Sequence, residues 1–162
     1  MKLIFAIMVG ILAWLYMKDR RDRPNILFVN TDAVYQMSED QKEPLNKCFK
    51  FSSCVFIYVA PWCPSCHAFL SEFSLVKDRL NRQNVGIVLV IGAEKDEAKK
   101  IELQKRYPLD SILDTPDNDF HKKNKVEYYP YYIAAESSKK VKYTGVRAGK
   151  YIEDTVNAKP IN

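Results

Sequence analysis

The feature that most constrains the fold of this chain is a pair of cysteines at the junction of a buried strand and a helix. The apolar run 54–60 is short and rich in β-branched and aromatic residues, which predicts a buried strand. The motif WCPSC follows at 62–66. Beyond it, apolar residues recur at helical spacing: Cys66, Phe69, Leu70, Phe73, Val76 and Leu80. We therefore predict strand, C-x-x-C and then a long helix from about Pro64 to Arg82.

The position of Cys63 favours the reactive form of its thiol. A helix N-terminus offers unpaired backbone N–H groups and the positive end of the helix dipole, and both favour thiolate over thiol. The thiolate is the species that attacks disulfides. We predict Cys63 as the nucleophile and Cys66 as the resolving thiol. A structural disulfide or a zinc half-site, with His67 or His121 as nitrogen ligand, are the alternatives.

Composition excludes several other classes of function. The 162 residues carry a net charge of +5, concentrated near the N-terminus, so the rest is nearly neutral. No basic stripe is present, which argues against a nucleic-acid partner. The four cysteines are too few for a disulfide scaffold and lack the spacing of a four-ligand zinc site. We predict no metal and no other cofactor.

The N-terminus forms a separate unit. Residues 3–17 carry no charge, and a charged segment, 18–23, follows them. A membrane span needs about 20 apolar residues, so this one is short. A cleaved secretory signal is the alternative, but no small-x-small cleavage site follows. A buried helix would leave apolar residues uncovered on all faces. We predict an uncleaved signal anchor, a transmembrane segment with a basic flank, at 1–23, and a single domain at 24–162.

The orientation of this anchor is ambiguous. Lys and Arg are more numerous after the apolar segment than before it, which favours a cytoplasmic domain. The charged N-terminus also fits an ordinary signal sequence, and disulfide chemistry suits an oxidising compartment. We favour a membrane-anchored domain on the extracytoplasmic face.

Strand-like and helix-like segments alternate through the rest of the chain. Pro44 is expected to interrupt any helix in the polar segment 38–51. The apolar run Val85–Ile91 predicts a central strand buried on both faces. Further predicted elements are strands at 25–30, 112–114 and 126–135, a hairpin partner at 141–143, and helices at 95–106, 117–124 and about 152–156. This order predicts an α/β layer fold with a mixed sheet.

The motif at 62–66, a proline at 130 that opens a later strand, and Gly145 after the hairpin together resemble the thioredoxin superfamily. The long stretch between Val85–Ile91 and Pro130 resembles the central insertion of the TlpA-like and ResA-like branch. Proteins of that branch are commonly membrane-anchored thiol–disulfide oxidoreductases facing the outside. The resemblance covers about residues 25–157. It implies a thioredoxin-like fold, with a mixed central sheet flanked by helices and a TlpA-type central insertion.

The resemblance also assigns roles around the cysteines. It implies that Pro130 is a cis-proline lying against the pair, and that the Tyr129 backbone pairs with a bound substrate strand. Trp62 and Pro64 would support the active site. Without the resemblance, Pro130 is equally explained as a proline at the start of an edge strand.

One position departs from the superfamily pattern. Many members bury an acid six residues before the first cysteine, where this chain has Ile57. Glu94, at the end of a strand, and Glu72 are candidate proton acceptors for Cys66, although both also fit ordinary surface acids. His67 either places a cation beside the thiolate or is simply solvated.

The remaining cysteines, Cys48 and Cys54, form either a structural disulfide or two buried thiols. The strand keeps Cys54 up to roughly 30 Å from Cys63, so exchange within one molecule is not expected. Four tyrosines at 128, 129, 131 and 132 form either a docking surface or half-buried packing.

These observations predict a membrane-tethered thiol–disulfide oxidoreductase that uses the Cys63–Cys66 couple to reduce extracytoplasmic protein disulfides. The alternatives are a disulfide oxidase or isomerase, or a non-catalytic thioredoxin-like docking or metal-delivery subunit of a membrane complex. The expected partners are protein disulfide or dithiol substrates, a membrane electron donor or acceptor protein, and membrane lipid through residues 3–17.

Overall fold

The computed structural model describes residues 29, 39–115 and 119–158. Their elements in chain order are α1 (Glu39–Cys48), β1 (Ser53–Val59), α2 (Pro64–Arg82), β2 (Val85–Ile91), α3 (Glu97–Arg106), β3 (Ser111–Leu113), α4 (Phe120–Lys123), β4 (Tyr131–Glu136), β5 (Val141–Thr144) and α5 (Gly145–Asn157). This alternation, closed by a hairpin and a helix, confirms the predicted α/β class.

The described strands form one mixed sheet in the order β3-β2-β1-β4-β5. Strands β1, β2 and β3 are parallel, and Val59, Ile91 and Leu113 lie level in their registers. Strand β4 is antiparallel to β1, with Tyr131 opposite Tyr58, so it begins where the others end. The segments after β1, β2 and β3 and the segment before β4 therefore meet at one edge of the sheet.

Helices cover both faces of this sheet. Leu70 of α2 and Ile152 of α5 pack on the face that holds Ile57. Leu45 of α1 and Phe120 of α4 pack on the opposite face. Every residue of β1 and β2 is buried, as their continuous apolar character predicts. The mixed sheet flanked by helices is confirmed.

Helix α2 has the bounds that the sequence predicts, Pro64 to Arg82. Pro64 occupies a first-turn position, where its missing N–H costs nothing. Arg79 and Arg82 lie in the last turn, where positive charge interacts favourably with the helix dipole.

The expectation that Pro44 interrupts the preceding helix is wrong, because α1 runs through it. A proline inside a helix removes one backbone hydrogen bond. Leu45 and Cys48 are 0% and 2% exposed, and their burial against the sheet offsets that loss.

Between β2 and β4 lie α3, β3 and the single turn α4, in the stretch for which the resemblance implies an insertion. Strand β3 extends the sheet by pairing with β2. The predicted helix at 117–124 is shorter, at Phe120–Lys123, and residues 116–118 lie outside the described part.

The predicted anchor at 3–17 lies outside the described residues, and so does most of the predicted strand at 25–30. Val29 is described, and its backbone N–H donates to the Lys139 carbonyl at 2.9 Å. Within the described ranges, no helix is both long enough and apolar enough to cross a membrane. The anchor therefore remains a prediction.

Candidate active site

The cysteine pair lies at the sheet edge where the strand ends meet. Cys63 is the N-cap residue of α2, and its Sγ accepts the Cys66 backbone N–H at 3.3 Å. Ser65 Oγ lies 3.2 Å from the same sulfur. The first turn of α2 holds no acidic residue that would oppose a negative charge there. The environment of Cys63 therefore stabilises a thiolate.

Cys63 and Cys66 are joined as a disulfide, with their Cα atoms 5.3 Å apart. Cys66 is 0% exposed, whereas Cys63 retains 4% exposure. An incoming disulfide would therefore meet Cys63 first. The roles of attacking and resolving thiol stay a prediction.

The two aromatic residues assigned to the site lie together. Trp62 is 58% exposed and packs edge-on against the Tyr129 ring, with 5.6 Å between ring centroids. Its indole N–H donates to the Ala93 carbonyl at 2.7 Å, which joins the loops after β1 and β2. The Tyr129–Pro130 peptide bond is cis, as the resemblance implies. Pro64 is exposed on the first turn of α2.

A buried acid, Asp114, lies at the same edge of the sheet, and the sequence analysis assigned it no role. Its carboxylate accepts hydrogen bonds from the Tyr58 hydroxyl and, at 2.7 Å, from the Phe120 backbone N–H. It also accepts from the backbone N–H of His121 at 3.1 Å and lies 2.9 Å from the Nδ1 of that residue. The buried Lys100 ammonium donates to the Asp114 carbonyl at 3.2 Å. An acid at the C-terminal end of a parallel strand was the available signal.

This network reaches the aromatic residues of the site through the ring of Tyr58. The Tyr58 ring lies 5.5 Å from the Tyr129 ring and stacks on Phe120 at 6.2 Å. Burial, and then the hydrogen bond to Asp114, raises the pKa of Tyr58. Burial also raises the pKa of Tyr129, with a smaller effect from the charge on Asp114. Both hydroxyls therefore stay neutral through the physiological pH range.

Asp114 lies away from Cys66. Its partner Tyr58 belongs to the core cluster on the α1 face, whereas Cys66 belongs to the cluster on the α2 face. Ile57, the position at which the resemblance would have led us to expect an acid, is 0% exposed. Of the two predicted proton acceptors, Glu94 accepts the backbone N–H groups of Lys95 and Asp96. Glu72 is exposed on α2.

His67 is half-buried, and both of its ring nitrogens have partners. Its ring contacts the Pro61 carbonyl and the Tyr107 hydroxyl. Within the described ranges, no group of three or more His, Cys, Asp or Glu side chains is arranged to hold a metal ion.

The second cysteine pair also forms a disulfide, which decides between the two alternatives for Cys48 and Cys54. The two Cα atoms are 5.4 Å apart. The adjoining tyrosines largely serve packing: Tyr131 is 7% exposed, and Tyr132 packs edge-on against Phe69 at 5.1 Å. Tyr128, at 42%, is the most exposed of the four.

Comparison with known proteins identifies the fold. No family model and no curated protein matches the chain. Among solved structures, the chain is similar to the thioredoxin domain of a thiol-disulfide oxidoreductase from Bacteroides vulgatus, at 20% identity and a TM-score of 0.53, covering 70% of this chain and 84% of that one. It is also similar to a secreted disulfide oxidoreductase of Mycobacterium tuberculosis (18%, TM-score 0.51, 67% and 82% covered).

Tryparedoxin I from Leishmania major is a third similar structure, at 20% identity and a TM-score of 0.55, with 67% of this chain and 77% of that chain covered. These similarities establish a thioredoxin-like fold. At such identities they establish the fold alone, so the reaction has to be argued from the cysteine site.

Proposed function

We propose that the protein is a thiol–disulfide oxidoreductase that cycles Cys63 and Cys66 between dithiol and disulfide. The observation that carries the proposal is the environment of Cys63. Its sulfur caps helix α2, accepts a backbone N–H and contacts Ser65, and it is bonded to the fully buried Cys66. A purely structural disulfide needs neither a thiolate-stabilising helix end nor an exposed Trp62 beside it.

The reaction takes two steps when a substrate is reduced. The Cys63 thiolate attacks one sulfur of the substrate disulfide, forming a mixed disulfide and releasing the other sulfur as a thiolate. Cys66, once deprotonated, then attacks the Cys63 sulfur. This step releases the second substrate thiol and leaves the Cys63–Cys66 disulfide. Two electrons pass to the substrate, and an external dithiol restores the enzyme.

The substrate proposed for this site is a protein disulfide in an extended segment. An extended segment can pair with the Tyr129 backbone, because β-strand addition uses main-chain hydrogen bonds. Trp62 would cover its apolar side chains. Pro64 is exposed beside the pair and has no backbone N–H, so its ring would contact the substrate.

The proposed setting is the extracytoplasmic face of a membrane, with residues 3–17 as the anchor and a membrane protein as electron partner. The apolar segment supports the anchor. The Cys48–Cys54 disulfide supports an oxidising compartment, because disulfides without a redox role persist there.

An oxidase is the second candidate, and the environment of Cys63 favours it. A helix end that stabilises the thiolate stabilises the reduced form, which makes the disulfide a stronger oxidant. The reduction potential of the pair decides the direction. A value near about −270 mV indicates a reductase, and a value near about −120 mV indicates an oxidase.

The test uses the full chain in detergent or lipid. Wild-type protein should accelerate the reduction of insulin disulfides by dithiothreitol, and Cys66→Ala should accumulate mixed disulfides through Cys63. Absence of turnover together with absence of mixed disulfides would contradict the proposal.

A further inference from the structure

Three hydrogen bonds fix the loop between β1 and α2, in addition to those in which the Cys63 carbonyl accepts the backbone N–H groups of Cys66 and His67. The Cys63 backbone N–H donates to the Ala60 carbonyl at 3.1 Å. The Trp62 indole donates to the next strand's loop at 2.7 Å. The third bond comes from His67, whose Nε2 lies 2.8 Å from the Pro61 carbonyl oxygen. This third bond joins the loop to the first turns of α2.

One contact of the His67 ring requires a hydrogen on Nε2. A carbonyl oxygen only accepts, so Nε2 must donate to Pro61. The other nitrogen, Nδ1, lies 3.4 Å from the Tyr107 hydroxyl, which is also 3.3 Å from the His67 carbonyl. Tyr107 follows α3, and its ring packs against the core. His67 is therefore anchored on one side by the loop and on the other by the α3 end.

We propose that His67 is a positioning residue for the redox reaction. Together with Pro61 and Tyr107 it forms the His67 latch, which holds the Cys63 loop on the N-terminus of α2. The latch stabilises the reduced form more than the oxidised form. This inference rests on the proposed function, because it concerns the equilibrium of the Cys63–Cys66 couple.

The asymmetry between the two forms follows from covalent structure. In the oxidised protein the disulfide itself keeps Cys63 beside Cys66. Reduction removes that bond, and the placement of the Cys63 sulfur against the Cys66 N–H and Ser65 then depends on the loop together with the bonds of the Cys63 carbonyl to α2. A hydrogen bond that fixes the loop therefore stabilises the reduced form more than the oxidised form.

Loss of the latch should lower the potential of the couple. A typical protein hydrogen bond contributes an amount that corresponds to roughly a fivefold change in an equilibrium constant. For a two-electron couple a tenfold change is 29.6 mV, so fivefold is about 20 mV. We expect His67→Ala to lower the reduction potential of the Cys63–Cys66 couple by about this amount.

Three further variants separate the latch from other roles of the histidine. His67→Gln places an amide N–H close to the position of Nε2 and should restore most of the wild-type potential. His67→Lys supplies a cation without the planar donor and should behave like His67→Ala. Tyr107→Phe removes the hydroxyl and keeps the ring, and we expect it to change the equilibrium constant of the couple about twofold.

Ser71→Ala is the matched control. Ser71 Oγ donates to the His67 carbonyl at 3.1 Å from the same helix, but it does not contact the loop. Its removal should leave the potential unchanged. All variants are measured as the full chain, by equilibration with glutathione, alkylation and mass spectrometry. Melting of the oxidised form reports folding, and His67→Gln and Tyr107→Phe carry the test if His67→Ala does not fold.

The possible outcomes distinguish a failure of the proposed function from a failure of the latch alone. A wild-type protein without a reversible Cys63–Cys66 couple would overturn the proposed function. A normal wild-type couple with His67→Ala equal to Ser71→Ala would overturn the latch alone. Rescue by His67→Lys but not by His67→Gln would also overturn it, since charge would then be the cause.

Discussion

The two disulfides of this protein lie at opposite kinds of helix end. Cys63 caps the N-terminus of α2, where the helix dipole is positive. Cys48 is the last residue of α1, where the dipole is negative. The same bond therefore has opposite electrostatic surroundings: a thiolate is stabilised at Cys63 and disfavoured at Cys48.

Burial does not distinguish the two pairs, because the cysteines are 2% and 0% exposed in Cys48–Cys54 and 4% and 0% exposed in Cys63–Cys66. Their immediate neighbours do differ. At Gly86 an added Cβ would lie 2.9 Å from the Cys48 carbonyl oxygen, so only glycine fits between the sheet and the end of α1. The close packing at Gly86 suits Cys48–Cys54 to a structural role. The exposed Trp62 beside Cys63–Cys66 suits that pair to exchange with a partner.

The largest expected effect is on turnover. Cys63→Ser should reduce insulin-disulfide reduction to the rate of dithiothreitol alone, because the nucleophile is removed. The matched Cys48→Ser/Cys54→Ser variant should retain most of the activity, as strand β1 separates that pair from the site. Equal losses in both variants would break the proposed division of roles.

The second effect is on stability. Removing the Cys48–Cys54 disulfide should lower the free energy of unfolding by about 2 kcal/mol, the chain-entropy value for so short a loop, with a sequence separation of 6. Denaturant unfolding of the oxidised proteins measures the change. An unchanged midpoint would mean that the bond does not stabilise the junction of α1 and β1.

A smaller effect is expected from Ser65→Ala, which removes a hydroxyl 3.2 Å from the Cys63 sulfur. A hydrogen bond to a charged group contributes roughly 1.5–3 kcal/mol, and exposure of Ser65 places this one near the lower end. The equilibrium constant of the Cys63–Cys66 couple should therefore shift about tenfold toward the disulfide. The state of the Cys48–Cys54 pair is the internal control and should not change.

The smallest effect concerns β1 itself, through Tyr58. Its raised pKa means that the unfolded chain loses the tyrosine proton first, at about pH 10, while the folded protein keeps it. This contribution to stability is complete below about pH 10 and is lost as the pH rises further. Tyr58→Phe should weaken that alkaline loss. It should lower stability at neutral pH by only roughly 1 kcal/mol, because Asp114 loses one donor but keeps the backbone N–H groups of Phe120 and His121.

The same variant tests whether the two faces of the sheet are independent. Tyr58 lies on the α1 face, so the potential of the Cys63–Cys66 couple should remain at the wild-type value. Urea unfolding between pH 7 and 11, with the potential measured at pH 7, checks both parts. A large shift in potential would show that the faces of the sheet are coupled.

The parts of the fold that depend on local pattern could be predicted from the sequence. The continuous apolar run Val85–Ile91 and the motif before α2 carry strong local signals, and their bounds agree with the structure. The path of α1 through Pro44 could not be predicted, because burial of neighbouring residues offsets the lost hydrogen bond.

The candidate site likewise contains residues that the local sequence predicts and residues that only the tertiary fold brings together. The cysteine pair is evident from spacing alone, whereas the carboxylate of Asp114 gathers donors from β1 and from α4, which are distant in sequence. His67 follows the motif, but its partners Pro61 and Tyr107 are brought together only by the tertiary fold. Such contacts have no periodic signature in a single sequence.

The measurement that tests the comparison most directly is the redox titration of both disulfides in one wild-type sample. The full chain is equilibrated with buffers of increasing reducing strength, alkylated and analysed by peptide mass spectrometry. Cys63–Cys66 should open first, at a potential above about −300 mV, and Cys48–Cys54 should remain oxidised below that value, as structural disulfides do. Opening of Cys48–Cys54 before or together with Cys63–Cys66 would contradict the account.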